Sequence, residues 1–403
     1  MRIFSLCIII VTALHAYAHP ATAETITEEI GRSGLAATES RLAALTAPTD
    51  ADRFALGGVQ FLAAIEGTFQ DRWMSGLTDN TGMLPVLRLP IPENPAPGPF
   101  DPAAFTSIFS HAETRLAQAK TQLTAIADGS DFSVVIALKD LWFDVNQNAA
   151  RDPGEDLIDI AGPAIMGWQW DERDPTLPFA TIRFDVADAA WLAAYADLLS
   201  GLCNIVRAYD PTEPIDRIMA ARDAMEALGP VGPDYIFGNQ NRPDSLDLIA
   251  IVLATLRQTP DTGLMAKAQG NFLAMIAENR QFWRRVALET DDQQEWLPND
   301  AQHSALGVEL PAQTGAQWLT VLAELERVLK GELLLPYWRV GEPAGINLAK
   351  MFTDPRPIDV AGWIQGWAAL PYLQRGKVAS LASVEAFDSF VSGNAMLFSL
   401  YLN

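Results

Sequence analysis

The chain has 403 residues, 49% of them hydrophobic and 19% charged, and a formal charge of −22. That apolar content excludes a disordered acidic tail. The balance of 28 basic to 50 acidic residues excludes a nucleic-acid partner and disfavours an anionic membrane surface.

Arg2, the apolar run Ile3 to Leu14 and the small-residue tail ending Ala21-Thr22-Ala23 predict a signal peptide over 1–23, cleaved after Ala23. The run is shorter than the ~20 residues needed to cross a bilayer. No later segment reads as a membrane span. The expected location is therefore the periplasm, or outside the cell as a secreted protein. Beyond residue 23 the only cysteine is Cys203 and the only histidines are His111 and His303. An internal disulfide and a Cys/His zinc site are thus excluded. No nucleophile-elbow, zinc-protease, dinucleotide or phosphate-loop motif is present.

Three regions follow. Residues 24–130 read as helical, with a Pro-rich loop at 78–102. Residues 131–185 hold a β segment with an oxygen-rich loop. Residues 186–403 read as a second helical region packed with the first as one unit. Thr25 to Leu45 is the first helix. Thr49 with Asp52 forms a capping-box pattern for the second, whose stripe Phe54, Phe61, Leu62, Ile65, Phe69 and Trp73 marks a core face. Leu84, Val86, Leu87, Leu89 and Ile91 in the Pro-rich loop need burial, so the loop is expected to lie over the surface. Asp101-Pro102 opens the next helix, which buries Ile108, Ala112, Leu116, Ala119, Leu123 and Ile126. The β-branched start of 133–143 predicts a strand, and 179–184 is its expected partner.

Between them lies Asp144-Val-Asn146-Gln-Asn148-Ala149-Ala150-Arg-Asp152-Pro153-Gly154-Glu155. Oxygen side chains occupy positions 1, 3, 5, 9 and 12 of this stretch. It resembles the twelve-residue calcium loop of the EF-hand and dockerin families, over these residues alone. Calcium takes six to eight hard oxygens at ~2.3–2.6 Å. The resemblance implies a structural Ca²⁺ held by Asp144, Asn146, Asn148, the Ala150 carbonyl, Asp152 and Glu155. Two departures stand out: Ala149 replaces the glycine expected at the left-handed sixth position, and Pro153 stiffens the exit. The flanks predict strand–loop–helix, with a short helix after Glu155.

Further helices are expected at 186–208, 214–228, 243–258, 261–289, 311–331, 357–370 and 382–401. Cys203 falls on a helix face with Tyr195, Leu199 and Val206, the position of a small core residue. The acids of 289–303, with His303, and the aromatics Tyr337, Trp338, Trp363, Trp367 and Tyr372 offer the ingredients of a carbohydrate-active hydrolase. Trp363 and Trp367, four apart, read more simply as one core face. The sequence as a whole predicts a mainly α fold, a multi-helix bundle or irregular helical array with a small β element. The expected role is binding or scaffolding by an exported calcium-binding protein, with a protein or small molecule as ligand and no catalytic residues assigned. A secreted hydrolase using the acids of 289–303 is the alternative.

Overall fold

Two reciprocal capping boxes open the fold, Thr25 with Glu28 and Thr49 with Asp52, each satisfying backbone N–H groups that the first helical turn leaves free. They start helices α1 (Ile26–Ala43) and α2 (Asp50–Ser75) of the computed structural model, which describes residues 24–77, 89–166, 179–229, 242–307, 310–380 and 382–390. The segment 1–23, where a signal peptide is predicted, and the apolar residues Leu84, Val86 and Leu87 lie outside the described residues. Asp101 caps α3 (Pro102–Thr124) through the N–H of Ala103, with Pro102 in the first turn. Leu89 and Ile91 pack on the core beside Phe69. Arg72 on α2 donates to the Leu89 carbonyl at 3.0 Å, so this part of the Pro-rich loop does lie over the helices.

Strand β1 (Val134–Ala137) pairs antiparallel with β2 (Thr181–Phe184), Val134 opposite Phe184 and Ala137 opposite Thr181. This is the predicted pairing. The short helix expected after Glu155 is α4 (Leu157–Met166). Then follow α5 (Val186–Tyr209), α6 (Thr212–Glu226), α7 (Arg242–Leu256), α8 (Thr262–Val286) and α9 (Thr314–Leu329). Their bounds depart from expectation by a few residues at most. With α10 (Leu348–Thr353), α11 (Val360–Gln365) and α12 (Ala382–Phe390), the described residues form twelve helices. The fold is mainly α, as predicted, with a small β element.

The core runs across α2, α3, α5 and α8. Alanines 187, 190 and 194 of α5 pack with Met265, Ala268, Met275, Ile276 and Phe282 of α8. Small side chains let the two backbones approach. At Gly201 even a Cβ would lie 2.6 Å from the Phe272 ring. A polar knot pins this seam. The fully buried Asp197 of α5 pairs with Lys120 of α3 at 2.7 Å and accepts from Asn271 of α8 at 2.9 Å. A misregistered helix would leave that carboxylate buried and unpaired, at a cost of several kcal/mol.

Three expectations need correction. First, α5 is long and apolar enough to cross a membrane by length and composition, against the expectation that no segment after residue 23 is. Here it is the central helix, and its polar side chains Asp188, Asp197, Ser200 and Asn204 are buried against protein. Second, the helix expected over 357–370 is only the six residues of α11. Gly366 ends it with a left-handed φ of 114°, so Trp367 turns away and is 55% exposed instead of sharing a core face with Trp363. Third, the C-terminal region is not wholly helical. β3 (Ala344–Ile346) pairs with β4 (Leu373–Arg375), three-residue strands too short for alternation to show. Residues 391–401 of the last expected helix lie outside the described residues.

Candidate functional site

The oxygen-rich loop hangs from a closed neck. Phe143 N–H donates to the Glu155 carbonyl at 2.9 Å, and Leu157 N–H donates to the Leu141 carbonyl at 3.0 Å. These bonds bracket an antiparallel bridge between Trp142 and Asp156. The neck is anchored on both sides. Phe143 meets Phe69 of α2 edge-on, with ring centroids 5.2 Å apart. Trp142 lies against α1 where Gly34, at φ 77°, breaks the helical ladder. Its indole N–H takes the Ile30 carbonyl at 2.8 Å, the acceptor that Gly34 would use in a continuous helix. A Cβ at Gly34 would come within 3.0 Å of that indole.

Within the neck the side-chain oxygens turn inward. Asp144 accepts from the N–H groups of Asn148 (2.9 Å) and Ala149 (3.0 Å). Asn146 Oδ1 accepts from Asn148 N–H (3.0 Å), and Asn148 Oδ1 from Ala150 N–H (2.7 Å). Successive bonds of this kind wind the chain into a tight bend, and they force Gln147 and Ala149 to φ 60° and 58°. The sixth position is left-handed, as the loop pattern requires, with alanine bearing the strain. Asp152 receives the amides of both Asn146 (2.8 Å) and Asn148 (2.7 Å), and these hold its carboxyl below the usual carboxylate range. Glu155 is fully buried. It reaches back across the loop to accept from Val145 N–H (3.0 Å), Asn146 N–H (3.4 Å) and Asp152 N–H (2.9 Å), while burial raises its pKa. Of the predicted ligands, Asp144, Asn146, Asn148, Asp152 and Glu155 thus meet in one hydrogen-bonded knot. Ala150 sits on the exposed rim.

Sequence reasoning missed one member. Glu66 of α2 is only 6% exposed, and its carboxylate accepts the Asp144 N–H at 2.8 Å. One turn on, Gln70 donates to the Asp144 carbonyl at 2.8 Å. Burial first, then the nearby charges of Asp144 and Glu155, push the Glu66 carboxyl up to about 7. The signal was legible: Glu66 interrupts the apolar stripe between Ile65 and Phe69, on the face that must be buried. The one cation in the loop, Arg151, turns outward to Asp156 (2.6 Å) and the Lys139 carbonyl (2.7 Å).

The acceptor set is of the kind a hard cation takes: every side-chain acceptor is an oxygen, and four of them, with Glu66, are carboxylates. Among the described residues, however, no three His, Cys, Asp or Glu side chains gather closely enough to hold a metal by themselves. In this knot the Asn146 and Asn148 amides stand between the carboxylates. A cation would have to take the place of their bonds to Asp152.

The acids of 289–303 make a different arrangement. Glu289 is pushed up to about 7, by burial first and then by the Asp185 charge. It accepts from Gln302 at 3.1 Å. Glu295 accepts from Gln293 N–H at 2.7 Å, Asp291 pairs with Arg183 at 3.0 Å, and Asp292 binds His303 at 2.7 Å. These bonds fasten the loop to itself and, through Arg183, to β2. The aromatics considered with them, Tyr337, Trp363 and Tyr372, belong to a separate cluster. His111 is exposed and lies 3.5 Å from Asp71. Cys203 is buried, which raises its thiol to about 12, the behaviour of a small core residue. No family model, curated protein or solved structure matches this chain.

Proposed function

We propose that this is an exported, periplasmic calcium-binding protein with a binding or scaffolding role, in which the loop 144–155 takes a structural Ca²⁺. The observation that carries the reading is the convergence of five oxygen side chains inside a closed neck, beside a buried Glu66 and with Arg151 facing away. Two buried carboxylates in one cluster, Glu66 and Glu155, are costly unless protonated or neutralised. A divalent ion would neutralise it. Asp144, Asn146, Asn148, Asp152, Glu155 and the Ala150 carbonyl would hold that ion, and Glu66 would support the loop from behind. The ion supplies no chemistry in this role. It cross-links the β1 end of the loop to α4 and so stiffens the junction between the two helical regions.

The test is calorimetric titration with Ca²⁺ together with thermal unfolding. An ion at a hundredfold excess over its Kd adds about 2.7 kcal/mol of stability, which raises the Tm by several degrees. Heat of binding and a Tm rise, both lost in Asp152→Ala, support the reading. No heat and no Tm change at millimolar Ca²⁺ would mean that the loop is a turn satisfied by its own amides.

A further inference from the structure

The C-terminal cap formed by residues 333–380 reverses the character of the rest of the chain. The turn Tyr337 to Val340 is closed by Val340 N–H on the Tyr337 carbonyl at 3.0 Å, which puts Trp338 and Arg339 at its tip. Trp338 is 70% exposed, and beside it Ile364, Trp367 and Leu370 are 61%, 55% and 65% exposed. Arg339 joins them into one patch. Its guanidinium lies 4.7 Å from the centre of the Trp338 ring and 3.4 Å from the Ile364 carbonyl, and its stem lies against Gly366. Underneath, Tyr337, Trp363 and Tyr372 form the small core that holds the tip rigid. Large apolar side chains this exposed and contiguous mark a contact surface.

Charge selects the occupant. In a chain of −22, residues 333–380 carry five basic side chains and three acidic ones. Arg356 is spent on Asp354, and Asp359 caps α11. Arg339, Lys350, Arg375 and Lys377 remain against Glu342. Tryptophan and arginine with protruding aliphatic tips are the side chains that settle at a bilayer's headgroup boundary. Basic residues add roughly 1 kcal/mol each where the lipid is anionic. A stacked sugar would use the indole faces but leave Ile364 and Leu370 without a role.

We propose that this cap is a docking surface for an anionic lipid interface, with Trp338, Ile364, Trp367 and Leu370 entering the headgroup boundary and Arg339, Arg375 and Lys377 facing lipid phosphates. The overall acidity conceals this local reversal. The proposal is independent of the calcium loop.

Flotation of the full chain with phosphatidylcholine vesicles, with and without phosphatidylglycerol, measures the docking. Brominated acyl chains report which indoles reach the bilayer. The apolar leader holds none of the 11 tryptophans, so quenching reads the patch even if the leader also binds lipid. The expected result is binding that favours phosphatidylglycerol and weakens with salt. Quenching should be lost in Trp338→Phe with Trp367→Phe. Partition should fall at least tenfold in Ile364→Ser with Leu370→Ser, and Arg375→Glu with Lys377→Glu should abolish the preference for anionic lipid. Quenching unchanged by the Trp substitutions overturns the proposal. So does absent vesicle binding, and patch-dependent self-association in sedimentation velocity or patch-dependent retention on immobilised polysaccharide would then name the occupant instead.

Discussion

At the loop 144–155 four carboxylates, those of Glu66, Asp144, Asp152 and Glu155, face backbone N–H groups and two asparagine amides, and the local arginine points elsewhere. At the start of α5, Asp185, Asp188, Glu289, Asp291 and Glu295 gather in comparable number. There Asp185 and Asp188 form a capping box, Asp291 holds Arg183, and Glu289 and Glu295 fasten a loop. Each region contains one glutamate pushed up to about 7, Glu66 in the first and Glu289 in the second. The difference lies in how the chain delivers the acids. Alternate positions of a single bend bring their side chains into one hydrogen-bonded network. Acids drawn from β2, α5 and a distant loop spend theirs on whatever donor each segment brings. Burial and number do not by themselves draw acids into one network.

The sharpest break between the regions comes from truncating one buried glutamate in each. Glu155→Ala strips the acceptor from three N–H groups, those of Val145, Asn146 and Asp152. The cost is on the order of 3–5 kcal/mol in urea unfolding, since each orphaned buried donor is expensive. Glu295→Ala orphans one donor in the other cluster, Gln293 N–H, and should cost about 1–2 kcal/mol. Any calcium response should vanish in the first variant and persist in the second. Equal losses and a retained response in both would erase the distinction.

A second comparison uses pH. An ordinary glutamate titrates near 4.5, so between that value and about 7 the unfolded chain releases the Glu66 and Glu289 protons while the folded chain keeps them. Stability therefore falls as pH rises through this window and levels off above it. Glu66→Gln retains an acceptor for Asp144 N–H and removes the charge. It should gain up to about 3 kcal/mol at pH 8 over wild type and nothing at pH 4. Glu289→Gln should behave alike without calcium. With calcium, the advantage of Glu66→Gln should shrink, because the ion already offsets the charge, while that of Glu289→Gln should not. Urea unfolding across pH, with Ca²⁺ or chelator, reads both.

The sequence made the helices, several of their caps and the β1–β2 pairing legible, because Thr49 and Asp101 are local signals read by the residues next to them. The five loop side chains were legible for the same reason: their spacing is their geometry. What escaped depends on distant partners. Glu66 reaches the loop from 78 positions away. The Asp197 knot needs three helices in register. β3 pairs with β4 and is backed on its other side by Leu335, which exchanges two backbone bonds with Ile346, of 2.8 and 2.9 Å, and Gly345 leaves room where a Cβ would strike the Leu335 carbonyl. The exposed Trp367 turned on one residue, Gly366, whose left-handed φ stops α11 short.

The smallest expected effect isolates backbone strain from ligand chemistry. Ala149 stands at φ 58°, where a Cβ crowds the following carbonyl at a cost of about 1 kcal/mol. It keeps that conformation because its N–H is held by Asp144. Ala149→Gly removes the crowding and touches no oxygen. The strain relief is partly offset by the greater freedom of glycine in the unfolded chain, leaving a gain of roughly 0.5 kcal/mol. Where the gain appears separates two accounts of the loop. If calcium needs the bend drawn tighter than the amide knot draws it, glycine should raise calcium affinity two- to threefold, read by calorimetric titration. If the bend is already in its binding shape, stability should rise equally with and without calcium and the affinity should stay put. The second outcome would mean that the amides of Asn146 and Asn148 shape the loop for the ion in advance.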